Sequence, residues 1–158
     1  MADATKPLAE GELTITRTFD APRALVFAAW TDSKHLAQWW GPRGCTNPVC
    51  EIDPRAGGKL RIHMQMPDGV VHRLRGVVED IAAPERLVLT LAAVDESDRA
   101  LLQGRTVVTF AEQHGKTTMI LHTRAGALAQ EALLWLDGMN EGWTQSIERL
   151  EAFVARVV

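Results

Sequence analysis

A chain of 158 residues, 46% hydrophobic and 23% charged, is long enough for one core that buries about two-thirds of the unfolded surface. Its formal net charge of −3 gives no general attraction for nucleic acid or anionic lipid, which sets both aside as partners. No apolar run approaches the roughly 20 residues that span a bilayer, and MADATKPLAE lacks the basic start and apolar middle of a secretory signal. The expectation is one cytoplasmic domain over 1–158, flexible over 1–10.

Residues 12–19, ELTITRTF, alternate Leu13, Ile15 and Phe19 with threonines, which predicts a half-buried strand. Arg17 falls in phase with the apolar side, a candidate for the end of an anionic ligand unless it reaches solvent. Asp20 as N-cap and Pro22 near the first helical position predict a short helix with Leu25, Val26, Ala29 and Trp30 as its apolar face. Thr31 and Asp32 offer a second cap. Leu36, Trp39 and Trp40 then form the inner side of a second short helix, stopped by Gly41-Pro42. A weak strand over 45–52, broken at Pro48, closes in the turn from Asp53 to Gly58.

Leu60, Ile62, Met64 and Met66 alternate with Arg61, His63 and Gln65, and beyond Pro67-Asp68-Gly69 comes VVHRLRGVVED, so a hairpin is expected. Pairing Met66 with Val70 sets Met64 against His72 and Ile62 against Leu74 on the inner face, with Arg61 opposite Arg75 and His63 opposite Arg73 outside. A slip of one residue would put two arginines among the methionines. After a turn at Ala83-Pro84-Glu85, Leu87, Leu89 and Leu91 face inward, and residues 93–104 read as an acidic, mobile loop. Strands over 105–111 and 116–123 meet at the tight turn His114-Gly115, pairing Phe110 with Met119 and Val108 with Leu121, all inward.

A short apolar helix is predicted over 128–135. From Gly138 to Val158, Met139, Trp143, Ile147, Leu150, Val154 and Val157 recur at steps of three and four, placing them on one face of a long helix. Asn140, Glu141, Thr144, Gln145, Glu148, Arg149 and Glu151 make its wet side. The order predicts an α+β domain: a curved antiparallel sheet of six or seven strands wrapped around the C-terminal helix, with two short helices after the first strand. Met64, Met66, Met119 and Met139 with Trp143 then offer an adaptable lining for apolar molecules, or simply a filled core. His72 and Leu74 face the same interior. Burial there would keep a lone imidazole neutral and able to hydrogen-bond a ligand.

The runs FDAPRALVFAAWTDSKHLAQWWGPRG, GGKLRIHMQMPDG, PERLVLT and GMNEGWTQSIERLEAFV together resemble the activator-of-heat-shock-protein-ATPase-like family. That family lies within the START and polyketide-cyclase superfamily, and the likeness covers about residues 12–153. It implies the helix-grip fold and a stress-response setting, and it puts Trp30, Trp39, Trp40 and Trp143 near a cavity mouth or wall. The eukaryotic co-chaperones that name the family carry an additional N-terminal chaperone-binding domain, for which these 158 residues are expected to leave no room, a departure that counts against a chaperone-activating role.

Cys45 and Cys50 would point to opposite faces of a strand and are expected as reduced, mostly buried thiols. Histidines at 35, 63, 72, 114 and 122 show no metal-binding spacing, Gly57-Gly58 opens a strand rather than a helix, and no nucleophile motif appears. Neither metal nor cofactor is expected. Arg61, Arg73 and Arg75 form at most a small basic strip on a solvated face. Three function classes stay open. The first is a binding protein whose cavity, lined by Trp30, Trp40, Met64, Met66, His72, Leu74, Phe110, Met119, Met139 and Trp143, takes an apolar or aromatic molecule. The second is an interaction module, co-chaperone-like or a homodimer through a sheet edge. The third is a cyclase-like or hydrolase-like enzyme using His72.

Overall fold

One antiparallel sheet of seven strands, in the order β1-β7-β6-β5-β4-β3-β2, curves around a single long helix in the computed structural model, which describes residues 6–158. The strands are β1 Ala9–Phe19, β2 Thr46–Ile52, β3 Lys59–Gln65, β4 Val71–Ala82, β5 Arg86–Val94, β6 Ala100–Gln113 and β7 Lys116–Ala127. The helices are α1 Arg23–Thr31, α2 Ser33–Trp39, α3 Leu133–Asp137 after a 3-10 turn at Gln130–Ala132, and α4 Met139–Val157. The expectation of a flexible start lies partly outside the described residues, at 1–5; from Ala9 the chain is already strand.

The β3–β4 register is the one that keeps arginine out of the core, with Met64 opposite His72, Ile62 opposite Leu74 and Arg61 opposite Arg75. The β6–β7 hairpin pairs Phe110 with Met119 and Val108 with Leu121, and turns at His114 and Gly115, both at positive φ. Two expectations are corrected. Residues 93–104 are not a mobile loop: β5 and β6 run through most of them, joined at Asp95–Arg99. There the Asp95 side chain accepts from the amides of Ser97 and Arg99 at 2.8 and 2.9 Å. Acidic turn chemistry had masked two strand ends. Asp20 does not cap α1, whose N-cap is Pro22; the free Arg23 amide instead donates to the Glu112 carboxylate of β6 at 2.7 Å.

Each outer arginine has a partner, two of them carboxylates and one a carbonyl. Arg61 pairs with Glu51 at 3.3 Å, Arg75 with Asp98 at 3.0 Å, and Arg73 donates to the Asp95 carbonyl at 2.7 Å. Arg17 does sit on the inner side of β1, but it meets Glu151 of α4 at 3.0 Å rather than a cavity. Cys45 is buried, Cys50 half-buried, and both are free thiols; burial, aided by Glu51, pushes the Cys50 thiol up to about 11.

Between the two ends of the sheet lie α1 and α2, joined to α4 by a block of indoles. Trp30 meets Trp39 edge-on at 4.7 Å and stacks on Trp143 at 6.3 Å, while Trp40 meets Trp143 edge-on at 5.5 Å. The Trp39 indole donates to the Ala29 carbonyl at 2.9 Å. Asp32 caps α2 as expected, accepting from the amides of Lys34 and His35. Its C-terminal end is held by a residue expected on the wet face of α4. Arg149 places Nη1 at 2.9, 3.0 and 3.1 Å from the carbonyls of Trp40, Gly41 and Pro42, and Nη2 at 3.3 and 3.2 Å from those of Gln38 and Cys45. Nearby, the Arg43 amide donates to Gln145 of α4 at 3.0 Å, and the Asn47 amide side chain donates to the carbonyls of Ala37 and Trp40.

One planar cation thus adds donors to carbonyls that the end of a helix and a glycine-proline turn leave outside any regular ladder. Arg149→Ala should cost about 2–4 kcal/mol, and Arg149→Lys less, because an ammonium reaches fewer of these oxygens. In urea unfolding the midpoint should fall at unchanged slope. A change in Arg149→Ala below about 0.5 kcal/mol would mean that water replaces the guanidinium without loss.

Candidate ligand-binding cavity

The inner face of the sheet tapers in side-chain size. At one end, Phe110 and Met119 pair, followed by Val108 and Leu121 flanked by Leu87, and all five are at most 2% exposed. The next rungs shrink to Thr106 with Thr123, then Gly104 with Ala125, then Leu102 with Ala127 beside Ala93. The helix above changes in step. Ile147, Leu150, Phe153 and Val154 in the C-terminal part of α4 are buried in the filled end, whereas Gly138, Met139, Gly142, Trp143 and Ser146 look onto the small rungs. Side chains that cannot reach one another leave room, and a cavity of about 340 Å³ results.

The structure brings most of the expected lining together. Trp40 and Trp143 form the wall shared with the indole block, Met64 and Met66 come from β3 and its turn, and His72 and Leu74 from β4. Met139 lies above them on α4. Gly41 has φ of +93°, and a Cβ there would lie 2.4 Å from the Cys45 sulfur and 2.6 Å from that of Met64, so the wall needs glycine at this place. Three expected residues do not line the space. Trp30 and Met119 are 0% exposed and Phe110 is 2% exposed, its ring edge-on to Phe27 at 5.4 Å; all belong to the filled end of the core. Val157, expected on the apolar stripe, is 44% exposed, and Phe153 takes its place in the core.

Sequence reasoning missed Leu91, Ala93, Leu102, Gly104, Thr106, Thr123 and Ser146. Extending the Phe110–Met119 pairing two rungs further along β6 and β7 reaches Thr106 and Thr123, and one more reaches Gly104, so the signal was present. Trp135 closes the far side: it stands on α3 and meets the His72 ring edge-on at 5.2 Å. On the same short helix, Leu136 comes within 3.2 Å of where a Gly11 Cβ on β1 would stand, so α3 bridges from β1 across to β4.

No lysine, arginine, aspartate or glutamate lines the cavity among the described residues. Its polar side chains are few. Thr106 and Thr123, each 3% exposed, join hydroxyl to hydroxyl at 2.9 Å. Ser146 donates to the Gly142 carbonyl at 2.9 Å. Burial holds the His72 imidazole below its ordinary pKa of 6.5, partly opposed by Asp68, so it is neutral at pH 7. No group of three or more histidine, cysteine, aspartate or glutamate side chains is placed to hold a metal, and no helix is long and apolar enough to cross a membrane, among the described residues.

The profile of a protein family described as "Activator of Hsp90 ATPase homolog 1-like protein" matches residues 20–155. Among solved structures, the AHSA1 protein of Silicibacter pomeroyi is 25% identical, with a TM-score of 0.78 over 94% of this chain and 100% of its own. A protein of Arthrobacter aurescens is 25% identical, with a TM-score of 0.77 over 96% of this chain and 93% of its own. One of Mycobacterium smegmatis is 28% identical, with a TM-score of 0.72 over 89% and 88%. No curated protein matches.

A histidine whose pKa is lowered on folding takes up protons more readily in the unfolded chain. The stability it leaves intact is full above pH 6.5 and is lost as pH falls through the folded value. His63 is shifted the same way, by desolvation and by Arg61 and Arg73, and is common to both proteins in a comparison with His72→Gln. Unfolding free energies at pH 7.5 and 5.0 should drop less in His72→Gln than in the parent. Parallel drops would show that the cavity imidazole is not desolvated.

Proposed function

The chain belongs to the Activator of Hsp90 ATPase homolog 1-like family, and from that premise we propose that it binds a small apolar or aromatic molecule between the sheet and α4. The observation that carries this reading is a space of about 340 Å³ beneath Trp143, walled by indole, thioether and aliphatic groups without a charged side chain among the described residues. Methionine side chains bend to fit several shapes, and flat indole faces accept rings, so an aromatic or alicyclic body suits the site better than a sugar or a phosphate ester. Membership in the family supports a hydrophobic-ligand role, here in a cytoplasmic setting.

An interaction module ranks second. The motivating feature is α3, where the adjacent Leu134 and Leu133 are 79% and 37% exposed. A light-scattering mass of twice the chain would favour a homodimer. Catalysis ranks third, because His72 has no hydrogen-bonded carboxylate among the described residues and a lone imidazole makes a limited acid–base apparatus.

A thermal-shift screen of neutral aromatic and terpenoid compounds should find a stabilising ligand, since 100-fold excess over its dissociation constant adds about 2.7 kcal/mol. A Cβ built on Gly142 meets nothing within 4 Å, so Gly142→Leu fills the site from inside a helix that also gains about 0.5–1 kcal/mol by losing glycine. The ligand shift should vanish in Gly142→Leu while the melting temperature of the free protein holds or rises. Retained binding in that variant, or a screen in which no compound shifts the parent, would remove this reading.

A further inference from the structure

We infer that the threonine pair on the cavity floor is a docking point for one uncharged oxygen function, a hydroxyl or carbonyl, and that the site discriminates against carboxylates; the inference rests on the ligand-binding reading above. Thr106 and Thr123 face each other directly across β6 and β7, their hydroxyl oxygens 2.9 Å apart, each side chain 3% exposed. A pair of hydroxyls has two protons. One lies between the two oxygens, and the other has no protein acceptor among the described residues. A buried O–H left without a partner is costly, so the pair favours an occupant whose oxygen accepts this proton.

The remaining polar groups do not compete for that role. The Ser146 hydroxyl is committed to the Gly142 carbonyl, and His72 stands at the side closed by Trp135, four strand positions past Gly76, which adjoins Leu91 and, through it, Gly104. A carboxylate at the threonine pair would find a single spare donor and no cation, since the lining holds no arginine or lysine. An ionised group brought out of water needs more than that. The occupant is therefore an apolar ring system with a hydroxyl, ketone or comparable uncharged oxygen at its inner end.

Three probes of nearly equal shape test this at pH 7.5 by calorimetric titration: 2-naphthol, 2-methylnaphthalene and 2-naphthoate. The parent protein should bind 2-naphthol at least about tenfold more tightly than 2-naphthoate. Replacing both threonines by valine, Thr106→Val with Thr123→Val, keeps the shape and removes both hydroxyls, so the preference for 2-naphthol over 2-methylnaphthalene should fall at least about tenfold. The double variant Thr106→Ser with Thr123→Ser should keep it. Should the valine protein fail to fold, the serine protein and the naphthoate comparison still decide. Equal binding of naphthoate and naphthol, or an unchanged naphthol preference in the valine protein, overturns the inference while leaving cavity binding intact. If none of the three binds the parent, the cavity reading falls and this inference with it.

Discussion

One helix of 19 residues has to cover the inner face of seven strands, and everything else in the molecule follows from how unevenly that face is furnished. Where the rungs carry Phe110, Met119, Leu121 and Leu87, side chains from sheet and helix meet and the interior is filled. Where they carry Gly104, Ala125 and Ala93, they fall short of the helix, and glycine at 142 on α4 and at 138 just before it widens the gap from above. The hollow is a consequence of residue volume at about half a dozen positions along the inner face of the sheet. Close packing elsewhere keeps such a space from collapsing, because each neighbouring side chain is already committed.

A hollow also needs walls that do not follow their own entropy inward. One wall is the stretch from Trp39 to Cys45, which has a glycine-proline turn and little regular hydrogen bonding of its own. Arg149 supplies what is missing by gathering the carbonyls of that stretch onto one guanidinium, with Gln145 one turn away holding the Arg43 amide. Trp40 and Trp143, which face the cavity, are in turn braced by Trp30, whose burial leaves it no part in contacting a ligand. Residues that shape the site and residues that touch its contents are therefore distinct sets, although both are tryptophans.

Much of this was legible in the chain. Alternation gave the β3–β4 register because a slip would bury Arg73 and Arg75, a penalty large enough to decide the pairing. The α4 stripe was read nearly whole, since a 3.6-residue period survives single errors such as Val157. What escaped is of a different kind. Arg149 was assigned to water because periodicity sorts residues by side and is blind to a long side chain that folds back onto distant carbonyls. Thr106 and Thr123 were passed over because threonine on a strand normally signals the outer face, and only their register with Phe110 and Met119 reveals the inner one. The turn at Asp95–Arg99 spread its acidic character over neighbours that are strand, since composition has a wider footprint than geometry.

The short helix α3 stands apart from this tightly fitted interior. None of its five residues is buried, and it is held by the ring edge of Trp135 on His72, by Leu136 over Gly11, and by both side chains against the small cluster of Leu101, Ala127 and Ala132. Anchors that are only half-buried place this segment among the parts of a fold that open at lower free energy than the sheet. By that physics the amides of α3 should exchange with solvent through local opening, ahead of those in the hydrogen-bonded centre of β6 and β7.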